Sequence, residues 1–248
     1  MPSLSTAQWL MAIAGALGMG ISKAGFPGMS LVHVVVFAFI FGARTSTGII
    51  LPMLLAADVW AVRAFQQHAQ WIYIRRMLPA TLVGVLLGFA LMGRLDESLF
   101  SPLIGTIVLL LILMQVVRMA RPGLFADVPH SRVFAWTMGL LAGVTTMLAN
   151  AAGPIFVLYA LAVGLPKYEL VGTGAWFFMI VNLSKVPLSA GLGLIGPQTL
   201  FLNLVLLPVV FAGIAIGRRM THHVPQRLFD GLLLAFAAVA ALRLVGAW

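Results

Sequence analysis

The 248 residues are 62% hydrophobic and only 8% charged, with a mean hydropathy of +1.08. That leaves too little polar side chain to cover a soluble globule of this length, so the composition excludes a soluble protein and predicts an integral membrane protein. The net charge of +9 does not indicate nucleic-acid binding, because the lysines and arginines are spread over loops and form no single basic run.

Continuous apolar runs predict an all-α membrane protein, since the alternation typical of a membrane-spanning strand barrel is missing. Seven runs approach the ~20 residues that cross a hydrocarbon core: Ser46 to Ala64, Met77 to Met92, Leu99 to Val117, Val133 to Ala149, Leu170 to Val186, Thr199 to Ile216 and Leu228 to Leu244. Three shorter runs are Thr6 to Ile21, Pro27 to Phe41 and Pro154 to Gly164. They form either full helices or hairpins that reach the midplane and return, so we expect about eight to ten membrane segments.

Two Gly/Pro interruptions, Gly18 to Gly28 and Gly143 to Pro154, indicate an internal repeat. Laying Pro27 on Pro154, 127 residues apart, places Lys23 on Asn150, Ser46 on Thr173 and Asp58 on Lys185. Leu78 to Gly88 likewise matches Leu207 to Gly217. The pattern predicts two inverted membrane repeats, residues 1–120 and 133–248, joined by a cytoplasmic linker at 121–132. Glycines spaced by four residues within these last two segments predict close helix packing.

Positive charge predicts the sidedness. Ten lysines and arginines fall in loops on one side of the predicted topology and four on the other. The richer side is therefore predicted to be cytoplasmic, with both termini on the opposite side.

Few polar groups interrupt the apolar runs, and each costs roughly 3 kcal/mol or more at the bilayer centre. Lys23 and Asn150 occupy equivalent positions at the two interruptions, where transporters with inverted repeats bind substrate. The glycines Gly25 and Gly153 precede Pro27 and Pro154, which suit the first turn of a helix. Helix N-termini beside a lysine predict an anion site, to which Lys185 adds a second charge if it faces the same cavity.

Several alternatives remain open from the residues alone. Lys23 either contacts substrate or forms an internal salt bridge with Asp58, and Lys185 either faces the cavity or extends to the surface. Asp58 either carries a coupling proton or neutralises a lysine. His33 is expected to be a packing group, Asn182 to form a hydrogen bond between helices, and His222 and His223 lack an acidic neighbour that would indicate a metal site. With no cysteine either, we expect no metal site and no cofactor.

The ordered motifs resemble the sulfite exporter TauE/SafE family of bacterial anion transporters. They are SKAGFPG from Ser22, LPMLLAADVWAV from Leu51, HAQW from His68, AGP from Ala152, VGTGA from Val171 and VNLSKVPL from Val181. The resemblance covers nearly the whole chain. It implies transport of sulfite or organosulfonates such as sulfoacetate across the bacterial inner membrane. By motif match it implies substrate contacts at Lys23, Asn150, Thr173 and Lys185, with Asp58 in coupling or gating.

The sequence therefore predicts a secondary transporter that exports a small sulfur-containing anion by alternating access, and not an enzyme. The expected partners are that anion and the lipid bilayer, without nucleic acid, and a homodimer is left open. The rival hypotheses are a proton-coupled or cation-coupled uptake carrier or a channel, for another small anion or for a cation, centred on Asp58. An intramembrane enzyme would need a catalytic pair at depth, whereas the sequence offers one aspartate and an isolated histidine.

Overall fold

The computed structural model describes residues 4–24, 30–121 and 131–220, with residues 235, 238–239, 241–242 and 244–246. Its elements are α1 Thr6–Lys23, α2 Ser30–Phe41, α3 Ala43–Phe65, a 3₁₀ turn Gln66–His68, α4 Trp71–Met92, α5 Glu97–Ala120, α6 Arg132–Ala149, α7 Gly153–Ala162, α8 Lys167–Gly191 and α9 Pro197–Met220. No strand occurs within these residues, so the predicted all-α class is confirmed.

Six helices in the described ranges are long and apolar enough to cross a membrane. They are Ala43–His68, Trp71–Met92, Ser98–Val117, Arg132–Ala149, Tyr168–Gly191 and Pro197–Arg219. Each contains or overlaps one of the long apolar runs, which confirms six of the seven predicted spans. The seventh, Leu228 to Leu244, lies mostly outside the described residues.

Two of the three shorter runs form short helices, whereas the first run forms the 18 residues of α1. With 12 and 10 residues, α2 and α7 reach only about 18 Å and 15 Å at about 1.5 Å per residue. Neither length spans a hydrocarbon core of about 30 Å, so each helix covers about half of it. Pro154 lies in the first turn of α7, as predicted. Gly25 and Pro27 lie outside the described residues.

The first helix of each predicted repeat begins in the same way. Ser5 caps α1 by accepting a hydrogen bond from the Gln8 amide at 3.3 Å, and Ser131 caps α6 by accepting one from the Phe134 amide at 3.0 Å. A serine at the N-cap satisfies an amide that has no partner within the helix. The order of one long, one short and two long helices then recurs from α1 to α4 and from α6 to α9.

Glycine pairs allow helices of the two halves to touch through their backbones. A Cβ added to Gly143 of α6 would lie 2.8 Å from Cα of Gly84 on α4, and one added to Gly20 of α1 would lie 2.9 Å from Cα of Gly213 on α9. Real Cβ atoms do not approach so closely, so only glycine fits at these crossings. The predicted packing role of Gly84 and Gly213 is confirmed. Thus α4 packs on α6 and α1 on α9, while α3 and α8 pack on each other between these pairs.

The first helix of each predicted half thus packs on the fourth helix of the other half. The inverted orientation of the halves and the division at residues 121–132 remain predictions, because residues 122–130 of the linker lie outside the described ranges.

Candidate functional site

Five polar side chains meet where the central helices α3 and α8 lie beside the ends of α1 and α6. Asp58 lies on α3, Asn182 and Lys185 lie on α8, Lys23 is the last residue of α1, and Asn150 directly follows α6. We call these five residues the polar cluster. Four are buried, with exposures of 0% to 7%, whereas the Lys23 side chain is 16% exposed. A buried polar group is costly unless it is hydrogen-bonded, which explains why these side chains bond to one another.

Asp58 accepts hydrogen bonds at both carboxylate oxygens. Lys23 donates from Nζ to Oδ1 at 2.5 Å, and Asn182 donates from Nδ2 to Oδ2 at 2.7 Å. The internal salt bridge between Lys23 and Asp58, weighed from the sequence as an alternative, is therefore present. Asn182 connects α8 to α3, as expected of a hydrogen bond between helices.

The Lys23 ammonium keeps donor capacity beyond this pair. It lies 4.9 Å from the centroid of the Phe178 ring, a favourable position for a cation. An ammonium has three N–H donors, and within the described ranges its hydrogen bond is the one to Asp58. Two of its donors are thus not used by the described residues.

Lys185 has no such capacity. Its Nζ donates to Asn150 Oδ1 at 2.5 Å, to Thr146 Oγ1 at 3.1 Å and to Asn182 Oδ1 at 3.1 Å. All three N–H groups are therefore committed to neutral oxygens. The side chain is 2% exposed. It does not extend to the surface, because these oxygens on α6 and on the preceding turn of α8 draw it inward. The structure also does not bring Lys185 to the cavity wall, and its substrate contact stays a prediction.

Lys185 also orients the two asparagine amides. Because an ammonium only donates, it binds the amide oxygens and turns both NH₂ groups away. The NH₂ group of Asn182 then meets Asp58, and that of Asn150 donates to the Thr47 carbonyl on α3 at 2.9 Å. Asn150 holds a left-handed backbone with φ of 53°, a conformation that asparagine tolerates better than most residues. The turn into α7 depends on this residue.

The two predicted repeats contribute matching pairs to the cluster. Lys23 bonds to Asp58 in the first half, and Lys185 bonds to Asn150 in the second, and each pair is separated by 35 residues. These are the positions that align at an offset of 127 residues. In the first pair the lysine lies on the outer helix, whereas in the second it lies on the central helix.

A cavity of about 400 Å³ adjoins the polar cluster. Its polar end includes Lys23, Asp58, Asn150 and Asn182. Its apolar wall follows α7 and the first turns of α8, through Phe156, Leu161, Leu165, Leu170 and Val171. The cavity therefore extends toward the α7 to α8 connection, on the predicted cytoplasmic side.

Close packing covers the other end of α3. A Cβ added to Gly48, near the start of α3, would lie 2.7 Å from the carbonyl carbon of Leu194 in the α8 to α9 connection. Leu194 itself is 8% exposed. The connection between α8 and α9 thus lies directly against α3 on the predicted outer side.

The remaining predicted residues divide between the cavity and the framework. Gly153 lines the cavity, and a Cβ there would lie 3.1 Å from Ser30 Oγ. Thr173 is fully buried and accepts a hydrogen bond from the backbone N–H of Gln70 at 3.0 Å, away from the cavity wall. Thr173 therefore holds the α3 to α4 connection, and its substrate contact stays a prediction. Gly25 lies outside the described residues.

Two side chains at the site were missed by sequence reasoning. Thr146 lines the cavity one turn before Asn150, and Phe178 lines it one turn before Asn182. Residues four apart share a helix face, so helical spacing from the two asparagines is the signal that finds them. Thr146 and Phe178 each stand beside an identical residue in an apolar run, Thr145 and Phe177, so residue type alone does not single them out.

No group of three potential metal ligands occurs among the described residues. His33 is buried and lines the cavity, whereas His222 and His223 lie outside the described residues. The geometry instead presents an ammonium group, amide groups and the first turn of α7, whose N-cap residue Ala152 provides no side-chain cap. Uncapped helix N–H groups and an ammonium attract anions.

Comparison with known proteins agrees with this chemistry. The model of the family described as sulfite exporter TauE/SafE matches residues 10–244, nearly the whole chain. No match was found among curated proteins or among solved structures. With six candidate spans in its described part and this family match, the chain is a multi-pass membrane protein that belongs to the sulfite exporter TauE/SafE family of membrane anion transporters.

Proposed function

We propose that this protein exports a small sulfur-containing anion, sulfite or an organosulfonate such as sulfoacetate, across the bacterial inner membrane. The observation that carries the proposal is the Lys23 ammonium at the cavity wall, with two N–H donors not used by the described residues. The α7 N-terminus at Gly153 supplies further donors toward the same cavity.

The charge of the polar cluster favours an anion. With Lys185 protonated, as its three donated hydrogen bonds require, the two lysines carry two positive charges and Asp58 one negative charge, a net of +1 for the three ionisable side chains of the cluster. A bound monoanion such as hydrogen sulfite would bring this sum to zero, which lowers the cost of holding charge away from water. No arginine belongs to the cluster, so binding stays moderate enough for release.

Asp58 fits a gating role in this scheme. Its carboxylate and an incoming anion compete for the same ammonium, so anion binding weakens the Lys23 to Asp58 bond that connects α1 with α3. Lys185 acts as a positioning residue, since it orients the amides of Asn150 and Asn182 without reaching the cavity.

The matching pairs support alternating access. The cavity on the predicted cytoplasmic side reaches Lys23, while Lys185 is buried behind it. We propose that rocking of the halves exchanges these environments, so that the outward-facing state exposes the Asn150 and Lys185 pair and buries Lys23. Both termini lie on the periplasmic side in this arrangement.

The rival hypothesis, a carrier or channel for a cation centred on Asp58, is disfavoured by the same contacts. A cation would have to displace Lys23 from Oδ1 or Asn182 from Oδ2, because both carboxylate oxygens already accept a hydrogen bond.

The first test is binding of sulfite, sulfoacetate, taurine, acetate and sulfate to the purified protein, by calorimetry and thermal shift. Lys23→Gln is compared with Arg63→Gln, which removes an exposed charge from α3. We expect one sulfur oxyanion to bind the wild type and the Arg63 variant, and Lys23→Gln to lose at least about tenfold in affinity. Equal binding to all three proteins would overturn the assignment of Lys23.

The second test follows the cavity itself. The chain has no cysteine, so single substitutions report accessibility without background. In proteoliposomes we expect thiol labelling of Leu165→Cys from the side of the cavity, and Leu194→Cys to become labelled from the other side when the anion is transported. Labelling of both positions from one side only, with and without the anion, would contradict alternating access.

A further inference from the structure

A second cavity, remote from the polar cluster, lies where α4 and α6 begin. It has a volume of about 520 Å³ and is lined by Ile72, Arg75, Arg76, Pro79, Arg132 and Trp136. We call it the arginine groove. It is formed by both predicted halves, because α4 belongs to the first and α6 to the second. Nothing in the proposed transport mechanism uses these residues.

The groove concentrates positive charge that the described residues do not neutralise. Its three arginines are exposed, and none of them forms an ion pair with a carboxylate of the described residues. Like charges held this close repel each other, and an anion within the groove would relieve that repulsion. Guanidinium groups match phosphate oxygens through two parallel hydrogen bonds.

Apolar side chains border the same groove. Ile72 is 54% exposed and Trp136 is 52% exposed, although both are large hydrophobic residues. Val133, one residue after the groove arginine of α6, is 75% exposed. Tryptophan beside arginine at the start of a membrane helix is typical of the interface between head groups and acyl chains. A soluble anion would contact the arginines but would gain nothing from these apolar side chains.

We propose that the arginine groove binds an anionic phospholipid, with its phosphate on Arg75, Arg76 and Arg132 and its acyl chains along Trp136 and Pro79. The groove lies on the predicted cytoplasmic side, where anionic lipid and juxtamembrane arginines attract each other. The lipid bridges α4 and α6 and so stabilises the contact between the halves. This inference does not depend on the substrate of the central cavity.

The test is lipid retention by the purified full chain, measured by native mass spectrometry with phosphatidylglycerol, cardiolipin and phosphatidylethanolamine added in turn. The triple variant Arg75→Gln, Arg76→Gln, Arg132→Gln is compared with a control that removes three exposed arginines of the same predicted side, Arg63→Gln, Arg121→Gln, Arg218→Gln. We expect the groove variant to bind the anionic lipids at least about tenfold more weakly, and the control to bind them like wild type.

Equal retention by both triple variants would overturn the proposal, as would competition by inorganic phosphate at millimolar concentration, which would indicate a soluble anion. If the triple groove variant is unstable, the single variant Arg132→Gln is measured in its place. We expect it to bind the anionic lipids about threefold more weakly, and lipid affinity equal to that of the wild type would overturn the site. Because the central anion site is separate, anion binding measured on the same samples distinguishes failure here from failure of the proposed function.

Discussion

Removing Lys23 from its pair with Asp58 should lower the stability of the protein more than removing Asp58. Asp58 is fully buried, and Lys23 is 16% exposed at the cavity. Lys23→Met leaves a buried carboxylate without its cation, which costs about 3 to 5 kcal/mol. Asp58→Asn leaves an ammonium that cavity water can hydrate, while the new NH₂ group faces the NH₂ group of Asn182. One donor is then unsatisfied, at about 1 to 3 kcal/mol.

The double variant Lys23→Met, Asp58→Asn removes both charges. Because no uncompensated carboxylate remains, we expect it to be more stable than Lys23→Met alone, with a coupling energy of about 1 to 3 kcal/mol. The assay is reversible unfolding in mixed micelles for the wild type and all three variants. The reasoning would be refuted if the double variant were no more stable than Lys23→Met. It would also be refuted if the Asp58→Asn variant were as unstable as Lys23→Met.

The same variants report on function. Asp58→Asn raises the net charge of the cluster from +1 to +2 and releases Lys23 from its competitor. We therefore expect tighter anion binding by Asp58→Asn, together with slower transport because release becomes harder. Lys23→Met and the double variant should lose binding even where stability is restored. Weaker binding by Asp58→Asn would contradict competition between the carboxylate and the anion.

Three further substitutions separate framework from site. Lys185→Met should lower the unfolding free energy by roughly 2 to 4 kcal/mol in the same assay, because three buried oxygens lose their donor; unchanged stability would contradict its positioning role. Thr173→Val should cost about 1 kcal/mol by removing the acceptor of the Gln70 amide, and calorimetry should find the anion affinity unchanged. Gly143→Ala should cost about 1 to 3 kcal/mol through overlap with α4, whereas Gly191→Ala, with nothing within 4 Å of the added Cβ, should stay within about 1 kcal/mol of wild type.

Composition and hydrophobic run length determine the class of this protein. A chain with so few charges cannot coat itself in water, and runs of about 20 apolar residues are read by length alone. Local sequence also predicts where a short helix begins, because Pro154 suits the first turn of α7 independently of the tertiary structure. It also ranks Lys23, Asp58 and Lys185 as exceptional, since an ionisable group in an apolar run needs a compensating partner.

Which partner each one takes depends on the packing of helices distant in sequence. From the residues alone, Lys23 and Lys185 are similar lysines at the edges of apolar runs. The approach of α6 to α8 supplies two of the three oxygens that use every donor of Lys185, and the third belongs to Asn182 on α8 itself. The approach of α1 to α3 gives Lys23 one hydrogen bond to the described residues, which leaves two of its donors unused by them. The hydrogen-bond partner of Thr173 also depends on tertiary structure, because the α3 to α4 connection packs against it and places the backbone N–H of Gln70 within reach.

Local patterns are therefore enough to predict the membrane class, six spans, close packing at spaced glycines and the residues whose burial must be compensated, because each depends on local composition or on a steric limit of one residue. Tertiary structure decided which lysine faces the cavity and which one orients the asparagines, because a hydrogen bond between helices depends on the distance and direction of groups that no local pattern specifies.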